Sequence, residues 1–407
     1  MNFLRIYFVF AAAYLLSYLF RSVNAVISPE LSRDLSLNPA SLGLLTSAYF
    51  LAFGAAQIPV GMLLDRYGPR RVEPVLLSIA ALGALLFATA ESLAGLLFAR
   101  AAIGFGVCAC LMAPLKAIAT WFPRERHASL SGWMMVAGGV GALAATTPLE
   151  LALRVTGWRT IFVVLALVTF VVAIAIAWRV PDTEKPANAE SFRAQWAGVR
   201  LVLGHPRLWW IAPLGAFCTG SFMAIQGLWA VPWMMEVGGE TRAGAAQHLL
   251  YMGIVVLGGY IALGLFGTSL ARRGILARHL FAAGFALATL ALAGIFLSLP
   301  GTYFWWSLYG LGSAVNVLAF TVLNEGFGRE FAARTNTTLN LVMFGGSFIM
   351  QSGIGLVAEA ARVRLGYDDA AGLRLAFGLV LAGNVVTYAW FVRGWRRHAP
   401  VAAAQAA

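Results

Sequence analysis

Two arginines carry the clearest chemistry in this chain. Arg21 and Arg100 each lie well inside a long apolar run, and neither run supplies an acidic partner. In hydrocarbon a charged side chain costs at least about 2.5–3.5 kcal/mol on insertion scales, so each needs a reason to be there. Arginine stays ionised when buried and cannot escape by losing its proton. Its planar fork fits the oxygens of a carboxylate, sulfonate or phosphate. Two such cations without counter-charge call for an anion. Each also has a plainer reading: Arg21 can bond backbone carbonyls or reach toward an interface, and Arg100 can serve the fold alone.

Lys116 stands 16 residues after Arg100 in the same run. At 3.6 residues per turn it falls roughly on the opposite helix face, unless the helix bends near Pro114. It is counted with the binding residues, with snorkelling beside Trp121 and Phe122 as the alternative. Gln226, Trp229 and Asn316 lie in later apolar runs. They could orient a ligand by hydrogen bonds and stacking, or simply pack helices together. No Ser-His-Asp set, metal-ligand cluster or pair of carboxylates can be placed at one depth. The sequence therefore points away from an enzyme and calls for neither cofactor nor metal.

A second constellation is the stretch 61–72, Gly-Met-Leu-Leu-Asp-Arg-Tyr-Gly-Pro-Arg-Arg-Val, between the apolar runs 41–64 and 74–90. Gly61 is read as letting two helices approach closely, and Gly68 as permitting a turn that a β-carbon would oppose. Arg66, Arg70 and Arg71 mark the side of a membrane that keeps positive charge. The pattern recurs 206 residues later, where Arg272 and Gly274 repeat the arginine and the second glycine. At that offset Gly104 and Gly106 meet Gly310 and Gly312, and Gly139 meets Gly345. One offset serving three separated segments predicts two homologous halves.

The elements that must position these residues follow from composition. Of 407 residues 60% are hydrophobic and 11% charged, which excludes a soluble globular chain. Apolar runs of about 20 residues recur, each long enough to cross roughly 30 Å of hydrocarbon as a helix. They lack the two-residue alternation of barrel strands. Net charge is +12, but the arginines fall in short loops between spans, which reads as membrane topology and not as a nucleic-acid partner. Cys108, Cys110 and Cys218 lie inside apolar runs and form no disulfide framework. The first run has no cleavage site followed by a soluble domain and is read as retained.

Twelve spans are predicted: 4–27, 41–64, 74–90, 94–120, 129–151 and a sixth ending near 179, then 208–235, 244–270, 276–299, 303–324, 335–360 and 373–393. They form an all-α membrane protein of two six-helix bundles, 1–180 and 207–397. Between them lies a polar connector, 181–206, with a short surface helix carrying Phe192, Trp196, Val199 and Leu203 on one face. Residues 398–407 form a short tail. Both termini are placed in the cytoplasm of a bacterial-type inner membrane.

The stretch 61–72 resembles the loop between helices 2 and 3 of the major facilitator superfamily. Arg21, Arg100-Ala-Ala-Ile-Gly104, Trp121-Phe-Pro123 and Arg126 resemble the superfamily's organic-anion branch, the anion:cation symporters. The resemblance implies a monomeric secondary transporter that works by alternating access. Arg21 and Arg100 would contact the anionic group of a small mono- or dicarboxylate, with a coupling ion or exchanged anion as second partner and lipid around it. It further implies that Asp65 faces the positive end of helix 11, and that Arg70 pairs with Glu125. The branch's usual proton carriers are absent: Phe20 and Val107 stand at their places, and Ala271 is the counterpart of Asp65. A proton-driven exporter is the alternative, although helix 5 lacks the exporters' glycine-proline motif. A receptor on a transporter fold is further away, because the tail is short.

Overall fold

The computed structural model describes residues 3–182, 192–327 and 332–398. Among them ten helices are long and apolar enough to cross a membrane. A pair bent by 41°, Ser129–Ala144 with Thr147–Val155, supplies an eleventh span. Leu93–Gly106 and Met112–Trp121, separated by turns at 107–111, make the twelfth. In chain order, spans 1 to 3 are Phe3–Leu35, Pro39–Tyr67 and Pro69–Thr89. Span 4 is the interrupted pair, span 5 the bent pair, and span 6 Trp158–Arg179. A short helix, Phe192–Leu203, leads to the second half. There span 7 runs from Pro206 to Glu236, and spans 8 and 9 are Arg242–Arg272 and Ala277–Phe296. Span 10 runs from Thr302 to Asn324, and spans 11 and 12 are Ala332–Leu365 and Asp369–His398.

Local chemistry sets the span ends. The Asn38 side chain accepts from the Ser41 amide at 2.8 Å and caps span 2, and Ser92 and Thr241 cap spans 4 and 8 in the same way. Span 1 continues through Pro29 to Leu35, beyond the predicted end at 27, which leaves a connection of only three residues. Span 3 begins at Pro69 and not at 74. Gly68 adopts φ 76°, and Pro69, which has no amide hydrogen to leave unpaired, takes the first helical position.

The breaks in the spans repeat. Segment 107–111 and the 3-10 turn Ala314–Val317 stand at the same 206-residue offset, in spans 4 and 10. Pro114 cannot donate to the Cys110 carbonyl, so the first of these breaks has a direct cause. Span 7 carries a π-turn, Ile225–Trp229, whose Gly227 is the counterpart of Arg21. The glycine contacts repeat as well. A β-carbon on Gly104 or Gly106 would strike the backbone of span 2 at Tyr49 or of span 3 at Ala80. One on Gly310 or Gly312 would strike span 8 at Met252 or span 9 at Ala288. Gly61 behaves otherwise: a β-carbon there meets nothing within 4 Å, so the close approach expected at Gly61 is absent.

The halves meet where span 2 runs along span 11, span 5 along span 8, and span 1 against the π-turn of span 7. At the end that carries Glu30 and Asp34 they are tied together. Arg242 of span 8 donates to Glu30 of span 1, and its other nitrogen lies 3.8 Å from Glu150 of span 5.

Candidate functional site

Between the halves lies a cavity of about 1090 Å³. Its wall is built from the irregular turns of three spans: Val107, Cys108 and Leu111 of span 4, Gln226 and Gly227 of span 7, Asn316 and Val317 of span 10. Discontinuous helices at matching positions of two halves are where transporters of this build place their ligand groups. The cavity reaches toward the end that carries Asp65, past Leu115, Gly132, Gly264 and Asn336.

Arg21 is the only charged side chain among the described residues that line it. It is 8% exposed. Its guanidinium carbon lies 4.6 Å from the centroid of the Tyr18 ring, 5.1 Å from that of Phe53 and 5.5 Å from that of Phe344. Three ring faces stabilise the cation without neutralising it. Its Nε has no hydrogen-bond partner among the described residues, and no carboxylate pairs with it there. The floor of the cavity thus holds a permanent cation on an aromatic bed, open to an anion on one side.

Arg100 does not share this cavity. It is fully buried behind Tyr49, with its guanidinium carbon 5.4 Å from that ring and 5.8 Å from Phe87. Its Nη1 donates to the Phe20 carbonyl at 3.0 Å. That carbonyl precedes Arg21 in the chain, so Arg100 holds the backbone that presents Arg21. The expected pair of arginines on one anion is not assembled in this conformation. The physical reason is the close crossing at Gly104, which presses span 4 onto span 2 and leaves Tyr49 between Arg100 and the cavity.

Lys116 is also placed elsewhere. Its Nζ donates to Asp65 Oδ1 at 2.7 Å and to the Leu64 carbonyl at 2.8 Å, at the mouth of the first half. Beyond the break at 107–111 the second part of span 4 packs against spans 1, 3 and 5, and the long Lys116 side chain reaches back to span 2. Trp229 is withdrawn too: its Nε1 donates to the Gln351 carbonyl at 3.0 Å, and its ring sits where Gly43 and Gly355 bring spans 2 and 11 together. It is buried between these spans and does not line the cavity. Gln226 and Asn316 do line the cavity, Asn316 beside Tyr260.

Several lining residues escaped the sequence reading. Gln57 of span 2 and Asn340 of span 11 meet across the two halves at 3.3 Å. Tyr14, Ser17, Tyr18, Thr219 and Tyr260 add hydroxyls. A polar residue inside an apolar run was the available signal for Gln57 and Asn340. Tyrosines give none, since their rings suit a core equally well.

At the Asp65 end, Arg70 donates from Nε to the Ala177 carbonyl at 3.1 Å, and Arg71 to Asp182 at 2.6 Å. The side chain of Glu125 lies outside the described residues. Arg66 is exposed, over the Tyr67 ring at 5.3 Å. Arg272 is exposed at the end of span 8, and Gly274, at φ 83°, turns the chain out of it.

Comparison with known proteins agrees with this geometry. The probable L-galactonate transporter of Escherichia coli (strain K12) is 29% identical over 173 residues, 41% of this chain and 36% of that protein. The hexuronate transporter of the same organism is 26% identical over 60% of this chain and 62% of its own length. Both matches thus span less than two thirds of the relative. The probable sulfoacetate transporter SauU of Cupriavidus necator is 24% identical over 79% of this chain and 83% of that protein. Among solved structures, a bacterial homologue of the human lysosomal transporter Spinster, inward-facing and unoccupied, superposes with TM-score 0.79 at 18% identity over 96% of both chains. The description "Major Facilitator Superfamily" belongs to a family model that matches residues 10–351. The chain is therefore a member of the Major Facilitator Superfamily, with its twelve-helix membrane fold.

Proposed function

We propose that this protein moves a small hydroxylated organic acid across a bacterial inner membrane by alternating access, with the acid's carboxylate held by Arg21. The observation that carries this reading is a guanidinium with no carboxylate partner in a cavity whose described lining has no Asp or Glu. A cationic cargo would find a like charge and no counter-charge there. The amides of Gln57, Gln226, Asn316 and Asn340 supply donors and acceptors suited to hydroxyl groups. Three relatives with anionic cargo in their names, galactonate, hexuronate and sulfoacetate, support the same class.

The halves 1–180 and 207–397 would rock as units, joined by the connector 181–206. The arginine-rich end would face the cytoplasm, as positive charge in short loops directs, and both termini with it. The present conformation is then open inward, with the Glu30–Arg242 pair closing the outside. Gly61, Asp65, Arg66, Gly68, Arg70, Arg272 and Gly274 would form the inner gate.

The test is uptake of radiolabelled galacturonate, galactonate and sulfoacetate into proteoliposomes. Arg21→Lys keeps the charge but loses the fork and should weaken binding by about 1–3 kcal/mol. Arg21→Gln should abolish uptake while the protein still reaches the membrane. Wild-type rates in Arg21→Gln, or a cation as the best substrate, would overturn the reading.

A further inference from the structure

Glu73 lies one turn into span 3 and is 0% exposed. Neither of its carboxyl oxygens has a hydrogen-bond partner among the described residues. The other buried carboxylate, Glu150, has Arg154 and Arg242 beside it. The titratable groups that face Glu73 are Cys110 and Cys108 of span 4. The nearby ionisable groups of the gate are committed elsewhere, Asp65 to Lys116, Arg70 to a carbonyl and Arg71 to Asp182. An ionised carboxylate at this position would carry its charge with neither water nor counter-ion, a state that hydrocarbon surroundings penalise by several kcal/mol.

The partition between Glu73 and the cavity is thin. Cys110 touches Glu73, while Val107, Cys108 and Leu111 of the same segment line the cavity. The segment is held by turn bonds, such as the Cys110 amide to the Val107 carbonyl at 3.2 Å, and by Ser17 Oγ to the Val107 carbonyl at 3.5 Å. It is not locked into a helical ladder. Arg21 stands on the far side, close enough to act on the Cys110 thiol.

We propose that Glu73 is the proton-carrying group of this transporter, linked to Arg21 across segment 107–111, so that one proton travels with each anion. The inference rests on the anion reading of Arg21. With the segment closed Glu73 holds its proton whether or not an anion is bound; when the segment opens with no anion present, the Arg21 cation lowers the cost of ionising Glu73 and the proton leaves the carboxyl oxygen for cavity water. A bound anion neutralises Arg21 and withdraws that support, so Glu73 keeps its proton. Anion and proton then bind with positive coupling, and the coupling is reciprocal. The position supplies what Phe20 and Val107 lack.

The experiment compares wild type with Glu73→Gln in proteoliposomes, using radiolabelled galacturonate. Glu73→Gln should lose accumulation driven by an inward proton gradient by at least about tenfold, yet still exchange external for internal galacturonate. Gradient-driven accumulation at the wild-type level in that variant overturns the proposal. Infrared spectroscopy of the purified protein in nanodiscs needs no substrate: wild type at neutral pH should show a protonated-carboxyl band that Glu73→Gln lacks. Identical carboxyl regions overturn the proposal even if galacturonate is not carried, an outcome that would count separately against the anion reading. If Glu73→Gln does not fold, Glu73→Asp replaces it. That variant should keep coupled accumulation but move its pH profile, and an unmoved profile overturns the assignment.

Discussion

Lys116 donates to Asp65 at 2.7 Å, so the aspartate of the gate motif is bound within its own half and not to span 11. In this conformation the Asp65 charge is thus paired within the first half. Asp65 is 54% exposed and Lys116 27%, which limits the strength of the pair to about 0.2–1 kcal/mol. Lys116→Met should release Asp65 toward span 11 and shift the population toward the inward-closed state by about two- to fivefold. Spin-label distances between spans 2 and 11 would report it; an unchanged distribution would show that the pair does not hold the gate.

The opposite end offers the reciprocal change. Arg242 joins Glu30 and Glu150 across the two halves, and these side chains are only 5–23% exposed. Arg242→Ala should leave Glu30 uncompensated, Glu150 keeping only Arg154, and favour the outward-open state by about 1–3 kcal/mol. Labels flanking the Glu30 end should move apart, and a cysteine at position 34 should react faster with an impermeant reagent.

Arg100 and Arg21 should separate in mutagenesis. Arg100→Met removes a buried charge whose Nε and Nη2 are unpartnered. Removing an unneutralised buried charge relieves its desolvation cost, which offsets the loss of the bond to the Phe20 carbonyl. Its melting temperature should therefore hold or rise, with galacturonate affinity lowered less than about threefold. Arg21→Met should abolish binding in the same calorimetric titration. Equal losses in both variants would mean that another conformation brings Arg100 to the ligand.

Two glycines should respond differently to alanine. Gly104→Ala drives a methyl group into the Tyr49 backbone and should cost about 1–3 kcal/mol. Gly61→Ala enters open space and should change stability by less than about 0.5 kcal/mol. Thermal unfolding in detergent distinguishes them. A large loss at Gly61 would instead signal that the inward-closed state, in which that surface is covered, dominates in solution.

The sequence alone determined what depends on runs and local chemistry. Span number follows from the length of the apolar segments, and the turn at Gly68 from its freedom to take positive φ. The two-half plan follows from glycines at one offset, because close crossings admit no β-carbon and mark themselves in the chain. Arg21 was legible as a residue needing a special place, which the cavity provides, because a charge in an apolar run is costly wherever it points. Direction was not legible. Which way Arg100 faces depends on the crossing of spans 4 and 2 at Gly104, and which way Lys116 and Trp229 face depends on how segment 107–111 interrupts span 4 and how the π-turn rotates span 7. Those breaks are settled by packing between helices far apart in the chain, not by the residues' own propensities. The same holds for Glu73, which reads as an ordinary acidic residue beside a gate loop. Only the fold shows that it is completely buried, with one short segment of span 4 between its carboxyl group and the cavity.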